Sequence, residues 1–323
     1  MHLPHYPRWL APGLLMLSLL GGCASVADFP AVDQAALTNQ RQHIAQVALA
    51  SWQAQQARLY LIRERLWLAA TRSGQCVHTR VDRGAFVEMP GDLPAELKEE
   101  LAASGVQLAD AVVIAVAPQS PADQSGIHAQ DRIVHRGEEP IALPSGWFES
   151  GEVALDLHGE QGDRRVTVGA RPLCDVEVVL DDAYSPSAFY DGTRIHVAEG
   201  MLQALADDDS LAFVLAHELG HATAQHALWA RLYNPSASRN QEREADQLGI
   251  RLVARAGYDL RRVADVWERI AKLDPTHVGY GWLASHPMRA ERELRLQSEI
   301  ARIQTEAMSA TSPQAMPGSR LTP

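Results

Sequence analysis

Residues 207–228 read Asp207-Asp208-Asp209-Ser210-Leu211-Ala212-Phe213-Val214-Leu215-Ala216-His217-Glu218-Leu219-Gly220-His221-Ala222-Thr223-Ala224-Gln225-His226-Ala227-Leu228, and this stretch decides the fold. The acids and Ser210 supply a cap and a favourable first turn, and Leu211, Val214, Leu215 and Leu219 recur at helical spacing. One helix is therefore expected from Asp209 to Leu228. His217 and His221 are four apart, hence ~40° apart in azimuth on one face. Two imidazoles one turn apart can grip a single zinc ion, and Glu218 beside them can reach a water on that metal.

A zinc ion used for catalysis needs a third protein ligand and an open fourth position. His226 follows His217 by nine residues, about 180° round a continuous helix, so it reads as a solvated or packing histidine. The better candidate lies in Glu242-Arg243-Glu244-Ala245-Asp246, where Glu242 and Asp246 share a helical face. Glu242 can ligate the metal while Asp246 accepts a hydrogen bond from a ligating imidazole and fixes its tautomer. Glu244 points ~200° from Glu242 and reads as a surface charge.

His-Glu-x-x-His followed by Glu-x-x-Ala-Asp, then Ala256-Gly257-Tyr258-Asp259, then Ser285-His286-Pro287 with Glu291-Arg292, resembles the M48 family of zinc metallopeptidases. The resemblance implies an α+β protein whose peptidase domain is a mainly helical, gluzincin-like zincin holding one Zn²⁺ per chain. It makes His217, His221 and Glu242 the ligands and Asp246 their supporting carboxylate, and puts His286 near the active site. Residues 188–197 resemble the family's strand along the substrate cleft, so an extended substrate is expected to pair with Thr193, Ile195 and Val197. The family usually has Asn where Ser187 stands. Fifteen residues separate His226 from Glu242, with Asn234-Pro235-Ser236 as a breaker, so the two helices should form a compact αα-hairpin. Glu218 is expected as the general base of peptide hydrolysis. His286 has two readings: donor to the developing oxyanion, or a fourth ligand that closes the resting site.

From residue 74 to 174 the texture changes to short β-rich runs. An apolar strand at Ala111–Ala117 leads to Ser120-Pro121-Ala122, Gly126, and then Asp131-Arg132-Ile133-Val134. This resembles the PDZ domains of bacterial proteases, with Gln130 where the family usually has Gly. Val153–Leu157 and Arg165–Val168 flank Gly159-Glu160-Gln161-Gly162-Asp163, a hairpin. The resemblance implies either binding of extended chain ends at a sheet edge or a rigid spacer.

The N-terminus reads as an address. Arg8 precedes an apolar run from Trp9 to Leu20, too short to span a bilayer comfortably, so residues 1–22 read as a signal peptide. Leu20-Gly21-Gly22-Cys23 resembles a bacterial lipobox, which implies lipid on Cys23 and, with Ala24 following, sorting to the periplasmic face of the outer membrane. An ordinary signal peptide is the alternative. Cys76 and Cys174 then remain as an even pair in an oxidising compartment, either bridged or as two buried thiols. Residues 23–73 read as a tether and a long helix, patterned from about Ala31 to Thr71 and stopped by Ser73-Gly74. The peptidase part is expected over 175–304, and 305–323 reads as a disordered tail.

A formal net charge of −11 over 323 residues, with no concentrated basic run, excludes nucleic acid as a partner. The function expected is a lipid-tethered zinc endopeptidase acting on unfolded or misassembled envelope proteins. Its rival is a non-cleaving PDZ adaptor on the same scaffold, against which stands the intact Glu218. A purely structural zinc site would be Cys-rich and four-coordinate.

Overall fold

The computed structural model describes residues 31–106, 108, 110–134, 143, 146–226, 235–273 and 290–311. Residues 1–22, read above as a signal peptide, Cys23, His286 and residues 312–323 lie outside these.

Helix α1 (Gln34–Arg72) starts where Asp33 accepts the Ala36 N–H and stops at Ser73, close to the limits expected. Its 39 residues make a rod of roughly 58 Å. The first half is mostly exposed, except where Ala45 packs with Leu93 and Leu101. The second half buries Leu59, Ile62, Leu66, Trp67 and Ala70 in the main core. Trp67 is fully buried and donates its indole N–H to the Val176 carbonyl, so a polar handle accompanies its apolar area. The helix is thus a spine against which both remaining parts pack.

The first part contains β1 (Thr79–Asp82), β2 (Ala85–Glu88), α2 (Ala95–Ala103), β3 (Ala111–Val116), α3 (Pro121–Gln124), β4 (Arg132–Ile133), β5 (Val153–Gly159), β6 (Gly162–Val168) and β7 (Arg171–Cys174). Strands β2 to β6 form one antiparallel sheet in chain order, so β2 and β6 are its edges. The expected hairpin is β5–β6, and Ser120 caps α3 by accepting the Asp123 N–H. Gln130 stands at φ 71°, a left-handed conformation that glycine adopts more cheaply, by ~1–2 kcal/mol. β1 pairs with β7 outside this sheet, and the Cys76–Cys174 disulfide (Cα–Cα 5.3 Å) clasps that pair. Arg83 follows β1 into the interior and donates to six backbone carbonyls, among them those of Trp147, Val168 and Gly146. That satisfaction is what allows a guanidinium to be buried there.

The second part contains β8 (Glu177–Asp181), β9 (Ala188–Tyr190), β10 (Arg194–Ala198), α4 (Glu199–Ala204), α5 (Asp208–Thr223), α6 (Pro235–Arg255), α7 (Leu260–Val263), α8 (Val266–Leu273) and α9 (Ala290–Thr311). Asp207 caps α5 by accepting the Ser210 N–H. The Ala256-Gly257-Tyr258-Asp259 motif is a helix stop: Gly257 is left-handed, and Tyr258 N–H closes α6 onto the Val253 carbonyl. Asp259 then donates its own N–H to Asp209, tying this turn to the start of α5.

Three expectations fail here. Helix α5 ends at Thr223, five residues before Leu228, because Gln225 turns left-handed at φ 54°. Helix α9 runs to Thr311, past residue 305, where the disordered tail was expected; Arg302 links Glu299 and Glu306 along it, and Thr305 and Ser309 return their hydroxyls to carbonyls four residues back. The third concerns β10, which carries Ile195 and Val197. It lies inside its sheet, parallel to β8 on one side and antiparallel to β9 on the other. Both of its hydrogen-bonding edges are occupied, and Ile195 and Val197 are fully buried. Thr193 donates to Asp191 in the β9–β10 turn. Thr193, Ile195 and Val197 therefore do not form a strand to which a substrate could be added.

Candidate metal centre

The apolar positions of α5 turn His217 and His221 inward with the core, and both are fully buried. Helix α6 crosses beside them at very short range. A Cβ on Gly220 would lie 3.0 Å from the Ala245 carbonyl oxygen, and one on Gly249 would lie 3.0 Å from the His217 backbone nitrogen. A glycine inside a helix costs roughly 0.5–1 kcal/mol relative to alanine. Here each helix spends one glycine, and the backbones approach closely enough for Glu242 to reach the histidines.

The result is a triangle of donor atoms. His217 Nε2 and His221 Nε2 are 3.1 Å apart, and the Glu242 carboxylate oxygens lie 3.4 Å from each of these nitrogens. Four ligands at ~2.0–2.1 Å around a tetrahedral zinc are separated by about 3.3 Å, so the triangle has the size of one face of that tetrahedron. Among the described residues this is the one group of three or more His, Cys, Asp or Glu side chains that could hold a metal ion, and all three members are buried. The donor set, two imidazoles and one carboxylate, fits zinc.

The carboxylates are themselves held. Asp246 Oδ1 lies 3.0 Å from His217 Nδ1, which leaves Nε2 of that ring for the metal. Arg292, on α9, donates Nε–H to Asp246 Oδ2 at 2.8 Å and approaches Glu242 Oε2 at 3.1 Å. Its guanidinium stacks over Trp267, 4.8 Å from the ring centre. Burial pushes the His217 pKa down, but Asp246 and Glu242 outweigh burial and bring it up to about 9. Burial likewise raises Asp246, and Arg292 and His217 more than reverse this, so its pKa is lowered. The site is built to hold positive charge.

Glu218 is buried and turned towards β9, where its Oε2 accepts the Tyr190 backbone N–H at 2.9 Å. Tyr190 is the last residue of edge strand β9, so the outer edge of that strand, not β10, faces the catalytic helix. A cavity of about 430 Å³ continues from this point, lined by Tyr190, Ala222, Thr223, Val176 and the Cys76–Cys174 bridge.

The four ligand and support residues expected from sequence, His217, His221, Glu242 and Asp246, are together, with Glu218 beside them. Sequence reasoning missed Arg292 as a structural partner, although Glu291-Arg292 formed part of the resemblance. It also missed Tyr190, whose role is played by a backbone group. His226 stands outside the ligand set and packs on it, and Glu244 is exposed, as expected; the contact between them was not foreseen, His226 Nδ1 lying 2.9 Å from His221 Nδ1 and its Nε2 3.1 Å from Glu244 Oε2. The interior glycines, Gly220 and Gly249, were signals of close helix packing that could have been used.

Residues 160–236 and 230–300 match Peptidase family M48. Over 153 residues the chain is 29% identical to the mitochondrial metalloendopeptidase OMA1 of Saccharomyces cerevisiae, covering 36% of this chain and 44% of that protein. The Arabidopsis thaliana protein of the same name is 31% identical over 143 residues, 36% of this chain and 29% of the relative. The Homo sapiens metalloendopeptidase OMA1, mitochondrial, is 25% identical over 142 residues, 31% and 27% respectively. The chain thus spans less than half the length of these curated relatives. The matched segment is the one that builds the His217–His221–Glu242 triangle, and it is similar to Peptidase family M48, a family that uses zinc.

Proposed function

We propose that the chain is a zinc-dependent endopeptidase whose general base is Glu218. The observation that carries this reading is the junction of the donor triangle with Glu218 and the outer edge of β9. His217, His221 and Glu242 would hold the metal, which when bound supplies Lewis acidity and an acidified water. Glu218, buried and aimed by the Tyr190 N–H, accepts a proton from water and returns it to the leaving amine. An extended substrate lies against the Phe189–Tyr190 end of β9 and sends a side chain towards the cavity beside Tyr190 and Ala222. His286 is the candidate oxyanion donor; if it is instead an inhibitory fourth ligand, His286→Ala raises activity rather than lowering it.

The β2–β6 sheet fits a PDZ-like role in substrate or partner capture. Its edge strand β2 borders a cavity of about 420 Å³ lined also by Tyr60 and Arg63 of α1 and by Trp147 and Phe148. With lipid on Cys23, the enzyme would work from the periplasmic face of the outer membrane on unfolded or misassembled envelope proteins.

Glu218→Gln tests the reading. It should retain one zinc per chain and lose cleavage of an unfolded substrate such as casein. Cleavage by that variant removes Glu218 as the base. Stoichiometric zinc in a wild-type chain that cleaves no unfolded protein turns the reading to the non-cleaving adaptor.

A further inference from the structure

The ligand histidines have different outer partners. His217 turns its Nδ1 to a carboxylate, Asp246, directly. His221 turns its Nδ1 to a second imidazole, that of His226, and only beyond that ring comes a carboxylate, Glu244. The way α5 ends creates this contact. Ala224 N–H returns to the Gly220 carbonyl, Gln225 takes the left-handed conformation and returns its N–H to Ala222, and His226 N–H returns to the His221 carbonyl. This is the double closure of a Schellman stop, which folds the residue after the left-handed position back over the last turn. The side chain so delivered is His226, 6% exposed and packed edge-on against the His221 ring, with ring centres 5.0 Å apart.

The hydrogen positions along this chain of groups follow from counting. If His221 gives Nε2 to the metal, its Nδ1 must carry the hydrogen, because a neutral imidazole has one N–H. That N–H donates to His226 Nδ1, which therefore has no hydrogen, so the hydrogen of His226 sits on Nε2. There it faces Glu244 Oε2, an acceptor. Each contact then has one donor and one acceptor, and the carboxylate at the far end selects the tautomer of both rings.

We infer that His226 and Glu244 are positioning residues for the metal, acting in series through His221 to fix its tautomer and ring orientation. This rests on the ligand assignment in the proposed function, but not on the chain being a peptidase. Partners of this kind typically contribute 10–100-fold to metal affinity when removed. Because they act in series, removing either should cost about the same as removing both.

The experiment measures zinc affinity of the full chain by competition with a chromophoric chelator, and the visible spectrum of the Co²⁺-loaded protein, for His226→Ala, Glu244→Ala and the double variant. Thermal melts of the metal-free proteins report folding separately. The expected result is about 10–100-fold weaker zinc binding in each single variant, little further loss in the double, and an altered cobalt band, with metal-free melts near wild type. Unchanged affinity and spectrum in Glu244→Ala overturn the inference, as do losses that simply add in the double variant. A wild-type chain that takes up no zinc fails the ligand assignment itself, and a chain that binds zinc without cleaving leaves this test intact.

Discussion

Arg292 and Asp246 meet through a two-pronged hydrogen bond, Nε–H to Oδ2 at 2.8 Å and a terminal N–H to Oδ1 at 2.7 Å, with both side chains withdrawn from solvent. The same Oδ1 faces His217, so one carboxylate joins a helix 46 residues away in sequence to the metal set. Arginine suits this place because its planar fork matches a carboxylate while a third N–H remains for Glu242.

Arg292→Ala should be among the most damaging substitutions outside the ligands. It leaves Asp246 and Glu242 buried without their shared cation, at a cost of about 3–5 kcal/mol. Arg292→Lys should recover only part of this, since an ammonium cannot make the fork. Chemical denaturation of the metal-free protein measures the cost, and a change below about 1 kcal/mol would contradict the geometry.

Gly249→Ala adds a methyl group 3.0 Å from the His217 backbone nitrogen and 3.1 Å from its Cα. Helices α5 and α6 must separate by a few tenths of an ångström, which costs about 1–3 kcal/mol and moves Glu242 away from the histidines. The expected outcome is a lower melting temperature together with weaker zinc binding. Gln247→Ala on an exposed position of the same helix is the control and should change neither.

Glu64 gives a dependence on pH. It is buried on α1 against Arg171 and Arg63, and burial, with help from Asp82, outweighs these cations and pushes its pKa up to about 7. A folded-state value raised above the ordinary one means that its contribution to stability is full below about pH 4.5 and is lost as pH rises through about 7. Glu64→Gln should therefore gain stability relative to wild type between pH 4 and pH 8, by up to ~3 kcal/mol. Melting both proteins at the two pH values tests this; equal differences at both would refute it.

The Cys76–Cys174 bridge closes a loop of 98 residues in sequence separation. Replacing both cysteines by serine should cost up to ~4–5 kcal/mol, less any strain relieved. Reductant should lower the wild-type midpoint and leave the serine variant unchanged. A variant as stable as the oxidised wild type would show that the bridge does not constrain the unfolded chain.

The parts of this architecture that depend on local spacing were legible in the amino-acid order. His217 and His221, or Glu242 and Asp246, share a helical face because they are four apart, whatever surrounds them. The break after Thr223 was not legible, because Gln225 occupies a left-handed position that glycine or asparagine usually marks. Extending the helix to Leu228 turned His226 away from the site it supports. The error at β10 has a different origin. Ile195 and Val197 correctly alternate towards a core, yet whether a strand is central or at an edge depends on β8, fourteen or more residues earlier, and no local pattern carries that information. Arg292 is remote for the same reason: its partners lie 46 and 50 residues upstream.

The edge that β9 offers is only three residues long. With the Tyr190 N–H already given to Glu218, so short a row leaves few backbone groups to pair, too few to compete with the continuous ladders of an intact helix or sheet. A polypeptide can lie there only if its own N–H and C=O groups are already without partners. On the proposed reading, discrimination between sound and damaged proteins then requires no recognition of sequence: the state of the substrate's backbone is the signal.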